Sequence, residues 1–176
     1  VGLINKVGRF DTDRLKQQGK YHLQRGKNNQ HGFLLVPAIE SGTGENIYIT
    51  EADINEVLQA KAAIYAGMKT LLSSQGKRLE EIKRFVLVGG FARHINLSNA
   101  IFMGLLPDIE PKLFEVIGNG SLAGAFLSQV EPDTIQNYGV IAQKPEVIEL
   151  NLCEEFESNF IDSVFLPHME EDEFPN

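Results

Sequence analysis

RFVLVGGFARHINLSNAIFMGLLP (residues 84–107) decides how the rest of the chain is read. Its first part, RFVLVGGF (84–91), is an apolar run of strand formers that stops on the pair Gly89–Gly90. The spacing that follows predicts a helix from Ala92 to Met103, closed by Gly104 and Pro107. The same order recurs in LFEVIGNGSLAGAFLS (113–128), where Gly118–Asn119–Gly120 separates a short strand from a helix of small residues. Strand, glycine turn and helix in succession, twice over, indicate an α/β fold with helices covering a mixed sheet. No repeat beyond that coarse echo is present.

Upstream, Thr50–Glu51–Ala52–Asp53 has the form of a capping box, a hydroxyl and an acid three residues apart at a helix start. Ile54, Val57, Leu58, Ile64, Tyr65, Met68, Leu71 and Leu72 then fall on one helical face, and Gly76 is a stop, so residues 51–75 are predicted as one amphipathic helix. Lys61 lies near the centre of that apolar face. A charge there must snorkel, pair or meet a ligand. Before this helix, HGFLLVPAI (31–39) and NIYIT (46–50), separated by the turn SGTGE, read as an antiparallel hairpin. The polar stretch 11–31 reads as a surface loop with at most a short helix. Beyond Pro132 the chain becomes acidic and extended. PEVIELNL (145–152) reads as a final strand, a short helix is expected over 154–164, and EEDEFPN (170–176) reads as a frayed tail.

The chain has the length of one domain, 176 residues, and its 43% hydrophobic and 23% charged content is ordinary for a globular protein. A single cysteine, Cys153, excludes an internal disulfide and any CxxC-type metal or redox site, and fits a reducing, cytoplasmic setting. No apolar run approaches the roughly 20 residues of a membrane helix. Residues 1–10 lack a secretory pattern, and the missing initiator methionine suggests a piece of a longer polypeptide. The net charge of −8 is unevenly spread: residues 1–36 carry seven Lys/Arg against two Asp, whereas residues 131–176 carry twelve Asp/Glu against Lys144 alone. A nucleic-acid surface would have to lie in the first stretch, which lacks interleaved aromatics, so nucleic-acid binding is not expected. His22, His31, His94 and His168 are scattered without an HExxH and read as surface histidines. No metal or catalytic constellation emerges, and no GxSxG points to a hydrolase.

Gly89 and Gly90 are the residues best placed for a ligand. Glycines at the C-terminal end of a strand let backbone approach a ribose or phosphate, at the edge where open α/β sheets bind ligands. A tight strand-to-helix turn is the competing reading, and the commoner one. Arg93, three residues on, has a guanidinium able to stack on a base or bond a phosphate, or else is an ordinary surface arginine. Gly118–Asn119–Gly120 lacks the spacing of a phosphate loop; with Gly124 it reads better as a helix built for close approach to another backbone.

In order, ITEADINEVLQAKAAIYAGMKTLL, RFVLVGGFARHINLSNAIFMGLLP and VIGNGSLAGAFLS, with the closing VIELNLCEEFESNFIDSVFLPH, resemble the C-terminal part of the reductive activators of corrinoid proteins. These are iron–sulfur proteins with an actin-like ATPase domain of the sugar kinase, Hsp70 and actin class. The resemblance covers residues 1–168, and residues 169–176 are set apart as an acidic tail. It implies a ribonuclease H-like actin-type lobe, with Gly89, Gly90 and Phe91 bordering adenosine, Arg93 beside the base and Lys61 lining the other side of the pocket. It also implies that Gly118, Asn119, Gly120 and Gly124 belong to the helix connecting two lobes.

The implied parent binds ATP or ADP with magnesium, carries an iron–sulfur cluster in a ferredoxin-like domain, and acts on a corrinoid protein. This chain departs from that pattern. It has one cysteine, and it lacks the phosphate loops of the other lobe, so hydrolysis by the isolated chain is not expected. Apolar surface left by the missing lobe makes a homodimer a natural question. Two other readings stay open: an activator of another radical or dehydratase enzyme, and a non-catalytic interaction module docking through its acidic C-terminal surface. The ATPase readings predict that Lys61, Gly90 and Arg93 converge in one pocket; the module reading predicts that they are dispersed, with an exposed apolar patch elsewhere.

Overall fold

The computed structural model describes residues 3–17, 23–25, 31–131 and 133–174. The chain enters through a turn in which Ile4 bridges Phe10 and Gly8 takes φ +75°. A Cβ at Gly8 would lie 2.6 Å from Leu58 Cδ1, so glycine lets this turn rest directly on the long helix. Helix α1 (Thr12–Gln17) follows and buries Leu15 completely. Strands β1 (Leu23–Arg25), β2 (His31–Val36) and β3 (Ile47–Thr50) form an antiparallel sheet in that order. The β2–β3 hairpin matches the sequence expectation. Strand β1 does not: it lies in the stretch read as a loop, because backbone pairing to β2, which alternation cannot report, makes it a strand. The hairpin loop is held by Asn46, whose Oδ1 accepts the Ala38 N–H at 2.7 Å.

Helix α2 (Glu51–Ser74) starts at the expected capping box. Asp53 N donates to Thr50 Oγ1 at 3.2 Å, and Thr50 N donates back to Asp53 Oδ2 at 2.8 Å. It ends in a Schellman turn, with Lys77 N donating to Leu72 O and Gly76 N to Ser73 O, and Gly76 at φ +62°. The buried stripe is rotated from the expected one. Ile54, Leu58 and Tyr65 are buried together with Ala62 and Ala66, whereas Val57, Ile64 and Leu71 remain 49%, 50% and 43% exposed. Small residues let neighbouring backbone settle close, and that closeness sets which side faces inward.

Strand β4 (Phe85–Val88) pairs in parallel with β5 (Phe114–Ile117), in register from Phe85↔Phe114 to Val88↔Ile117. Two helices connect them, α3 (Gly90–His94) and α4 (Leu97–Phe102), where one helix was expected over 92–103. Ile95 is extended, and the Asn96 side chain caps α4 by accepting the Asn99 N–H at 2.9 Å. The mixed α/β architecture thus holds, with its strands divided between two small sheets and helices flanking them.

Helix α5 (Gly120–Val130) is capped by Asn119, whose Oδ1 accepts from Leu122 N at 3.0 Å. Residues 134–142, expected to be extended, form helix α6 (Thr134–Ala142), docked on α5 by the Tyr138 hydroxyl donating to Gly124 O at 2.9 Å. The strand expected over 145–152 is absent. That segment ends in a 3-10 turn, Leu150–Leu152, and Leu150 rests against α2 at Gly67. Helix α7 (Glu154–Ser163) packs along α2, joined by Asn159 Nδ2 donating to Thr70 Oγ1 at 3.0 Å, both residues being buried.

The main apolar cluster is Phe10, Leu15, Ile54 and Leu58, backed by Leu3, Ile4, Phe33, Ile49 and Leu166. Burying each of its larger aliphatic side chains contributes about 1.5–3 kcal/mol. The frayed tail expected after residue 168 is not what residues 173–174 do: Phe174 is buried, and Glu173 is bonded to α2.

Candidate functional site

Because β4 and β5 run in parallel and in register, their C-terminal ends lie side by side, and with them the two glycine segments. Gly89 N donates to Gly118 O at 2.9 Å, which stitches the two turns together. Gly89 takes φ +108°, backbone that disfavours any side chain, and turns the chain sharply into α3. A Cβ at Gly90 or at Gly118 would meet nothing within 4 Å, so both turns present bare backbone to open space. Gly120 is different. Its Cβ would lie 2.6 Å from Val88 Cγ1, so a glycine is required for α5 to start against β4.

Phe91 stands out from this edge, 78% exposed, and Arg93 is exposed one turn along α3. An unburied phenyl ring and a guanidinium beside accessible glycine backbone suit a flat aromatic ligand with a polar tail. Gly124, grouped with the close-packing residues, makes its close approach inside this chain: Tyr138 Oη lies 3.1 Å from where its Cβ would be.

Lys61 is elsewhere. It is 1% exposed, and its ammonium donates to Phe165 O and to Pro167 O, each at 2.5 Å. Burial pulls its pKa down to about 8. Of the three outcomes open to a lysine on an apolar face, it follows pairing, with backbone carbonyls as partners. It also sits beside Gly104, where a Cβ would lie 3.0 Å from Lys61 Nζ and would collide with the Pro167 carbonyl oxygen. Gly104 takes φ +73° and closes α4 in a second Schellman turn.

The Lys61 ammonium is thus taken up by two carbonyls of its own chain. Two clefts lie among the described residues, and Lys61, Gly90 and Arg93 line neither. One, of about 500 Å³, is apolar and lies between Ile54, Val57, Phe102, Met103 and Leu166. Another, of about 830 Å³, is charged and lies between Lys69, Lys77, Arg78, Glu110 and Asp172.

Sequence reasoning missed a second polar group of importance. His168, read as a surface histidine, is 1% exposed and stacked among Tyr65 and Phe174, with ring centroids at 5.6 and 6.1 Å. Beside it, Tyr65 Oη donates to Glu173 Oε2 at 2.9 Å, and Lys69 is ion-paired with the same carboxylate. The aromatic and acidic spacing of the last residues, read as a tail, was the only available signal. His94 is exposed, His31 belongs to β2, and His22 lies outside the described residues.

The chemistry of the exposed groups at the β4–β5 end is compatible with a nucleoside, and that of the single thiol is not compatible with an iron–sulfur centre. Open glycine backbone beside Arg93 suits a nucleoside, whereas Cys153 alone cannot ligate a cluster that takes several thiolates. Among the described residues no group of three or more His, Cys, Asp and Glu is placed to hold a metal ion, and no helix is long and apolar enough to cross a membrane.

Three comparisons agree. The family model described as the C-terminal domain of RACo, the ASKHA domain, matches residues 1–176. The corrinoid activation enzyme RamQ of Eubacterium limosum is 38% identical over 130 residues, covering 72% of this chain and 22% of RamQ. A solved structure of a reductive activator for corrinoid, iron–sulfur protein superposes with TM-score 0.86 at 36% identity, over 99% of this chain and 27% of that one. The chain thus spans about a quarter of the length of these relatives. With the family model matched from end to end, the chain belongs to the family of the C-terminal ASKHA domain of RACo, within the reductive activators of corrinoid proteins.

Proposed function

We propose that this chain supplies one edge of the adenine nucleotide site in an ATP-dependent reductive activator of corrinoid proteins. The observation that carries this reading is the pair of glycine turns, Gly89–Gly90 and Gly118, side by side and unobstructed at the C-terminal end of a parallel strand pair. In this reading Gly90 lets a ribose lie against backbone, Phe91 borders the nucleoside, and Arg93 stacks on the base. Lys61 serves from behind, by holding the C-terminal segment against α2, and not as a ligand contact. ATP with magnesium supplies the binding energy for closure of two lobes when it is bound; the phosphate-positioning groups come from polypeptide beyond these residues. The isolated chain is then incompetent for hydrolysis.

The bare apolar surface supports this division of labour. Leu122, Phe126 and Val130 of α5 and Ile135, Val140 and Ile141 of α6 are all more than half exposed. A two-stranded parallel sheet with exposed Val88 and Val116 is likewise unusual, since parallel strands are normally covered on both faces. The rest of a polypeptide of the relatives' length is the natural cover, with Gly118, Asn119 and Gly120 at the join between lobes. The substrate in this reading is a corrinoid protein, electrons come from an iron–sulfur domain of the same polypeptide, and the setting is the cytoplasm.

Photo-crosslinking with an azido-adenine ATP analogue on the full-length polypeptide tests the assignment. Label recovered on the peptide spanning residues 89–93 and competed by ATP is the expected result. Competed label recovered only on peptides outside this chain would refute it.

A further inference from the structure

Residues 165–174 close over the buried face of α2 and are fastened at both ends. At one end Lys61 holds the carbonyls of Phe165 and Pro167. At the other, Glu173 takes the Tyr65 hydroxyl and the Lys69 ammonium, and Phe174 packs on Tyr65 with ring centroids 5.4 Å apart. Between the two fastenings lies His168. Its Nδ1 accepts the Glu170 N–H at 3.2 Å, which puts the ring proton of the neutral imidazole on Nε2. Nε2 is buried and has no hydrogen-bond partner. A buried orphan donor on a titratable ring, in the middle of a fastened segment, has no evident purpose in packing.

We propose that this segment is an acid-released clasp, with protonation of His168 as its trigger. A second ring proton must go onto Nδ1, where it displaces the Glu170 N–H and leaves a cation between two aromatic rings. Water is the better place for that cation, so the protonated form favours the open clasp. The facing groups are known. Burial disfavours the charge most; the Lys69 ammonium on α2 adds to that, while Glu173 on the clasp and Asp162 on α7 favour it. Burial and Lys69 prevail, holding the imidazole below its ordinary value of 6.5. The sign follows. Below that value the open form takes up a proton that the closed form refuses, so closure is complete above it and weakens as pH falls, by up to about tenfold per pH unit.

Opening has a defined consequence inside the fold. Pro167 O is lodged over Gly104, at the turn that ends α4, and on Lys61. Release of the clasp therefore frees the α4 turn and uncovers the α2 lysine together. This inference stands apart from nucleotide binding and does not require it.

Amide hydrogen exchange on the full chain at about pH 7.5 and about pH 5.5, corrected for intrinsic rates, reads the clasp directly. Protection of the peptide covering residues 165–174 is expected to fall by severalfold, with about tenfold as the ceiling that one pH unit below 6.5 allows, relative to a peptide within residues 54–66. In His168→Gln, which keeps an acceptor for the Glu170 N–H and cannot titrate, it is expected to change by less than about twofold. No fall in the unmodified protein, or an equal fall in the variant, overturns the proposal. Should His168→Gln fail to fold, NMR titration of the His168 ring decides. A midpoint below 6.5 that coincides with loss of protection upholds the trigger, and a midpoint at or above the ordinary value removes it.

Discussion

The inner face of α2 and the outer end of β4 handle polar groups in opposite ways. Around α2, side chains that the sequence makes awkward are closed in and given partners: Lys61 by two carbonyls, Tyr65 and Lys69 by Glu173, and Asn159 by Thr70. At the ends of β4 and β5, Gly90 and Gly118 face open space and Phe91 stands 78% exposed. The first region holds the fold together at the cost of mobility, and the second leaves groups free for a ligand or another lobe. Function tends to sit on the open kind of edge, positioned by the closed kind.

Substitutions should separate the two regions, and the largest effect belongs to Gly104. A methyl there both meets the Pro167 carbonyl and sits at φ +73°. Gly104→Ala is expected to cost about 3–5 kcal/mol, by overpacking and left-handed strain together, read as a drop in the urea midpoint. Next comes Lys61→Met, which keeps the stem and removes the charge. It leaves two part-buried carbonyls without their ammonium and is expected to cost roughly 2–4 kcal/mol in the same measurement. A loss below about 0.5 kcal/mol would mean that the carbonyls find water, and that α2 does not need its lysine.

Much of this was legible in sequence, and the gaps have physical causes. Capping boxes and glycine stops are local, so α2 was found to within a residue, and the β4–β5 echo could be read from two apolar runs ending in glycine. Strand β1 and helix α6 were missed because each is made by a partner: β2 for the one, and Gly124 O for the Tyr138 hydroxyl for the other. The clasp was missed for the same reason. Glu173 and Phe174 look like a solvated end until Tyr65, about a hundred positions earlier, is brought beside them. In the candidate site, the glycine turns at the strand ends could be read from local sequence, but the placement of Lys61 depended on Phe165 and Pro167, which no spacing rule connects to α2.

Smaller effects sharpen the contrast. Burial alone would raise the Glu173 carboxyl, but the Lys69 and Tyr65 hydrogen bonds outweigh it and hold the group below its ordinary 4.5. Its contribution is therefore complete above that value and lost as pH falls through the lowered one. Glu173→Gln is expected to cost about 1 kcal/mol near neutrality and to flatten the acid limb of thermal unfolding. At the open edge, Gly90→Ala meets no neighbour and needs no positive φ, so its stability is expected to stay within about 0.5 kcal/mol of the parent.

The central claim is that the β4–β5 edge contacts the nucleoside. Calorimetric titration of the full-length polypeptide with ATP and magnesium, against the same polypeptide carrying Gly90→Val or Arg93→Ala, tests it most directly. The account predicts binding by the parent, weakened by about tenfold or more in each variant, which corresponds to about 1.4 kcal/mol or more per substitution, with folding intact. Parent and variants binding ATP equally would contradict it.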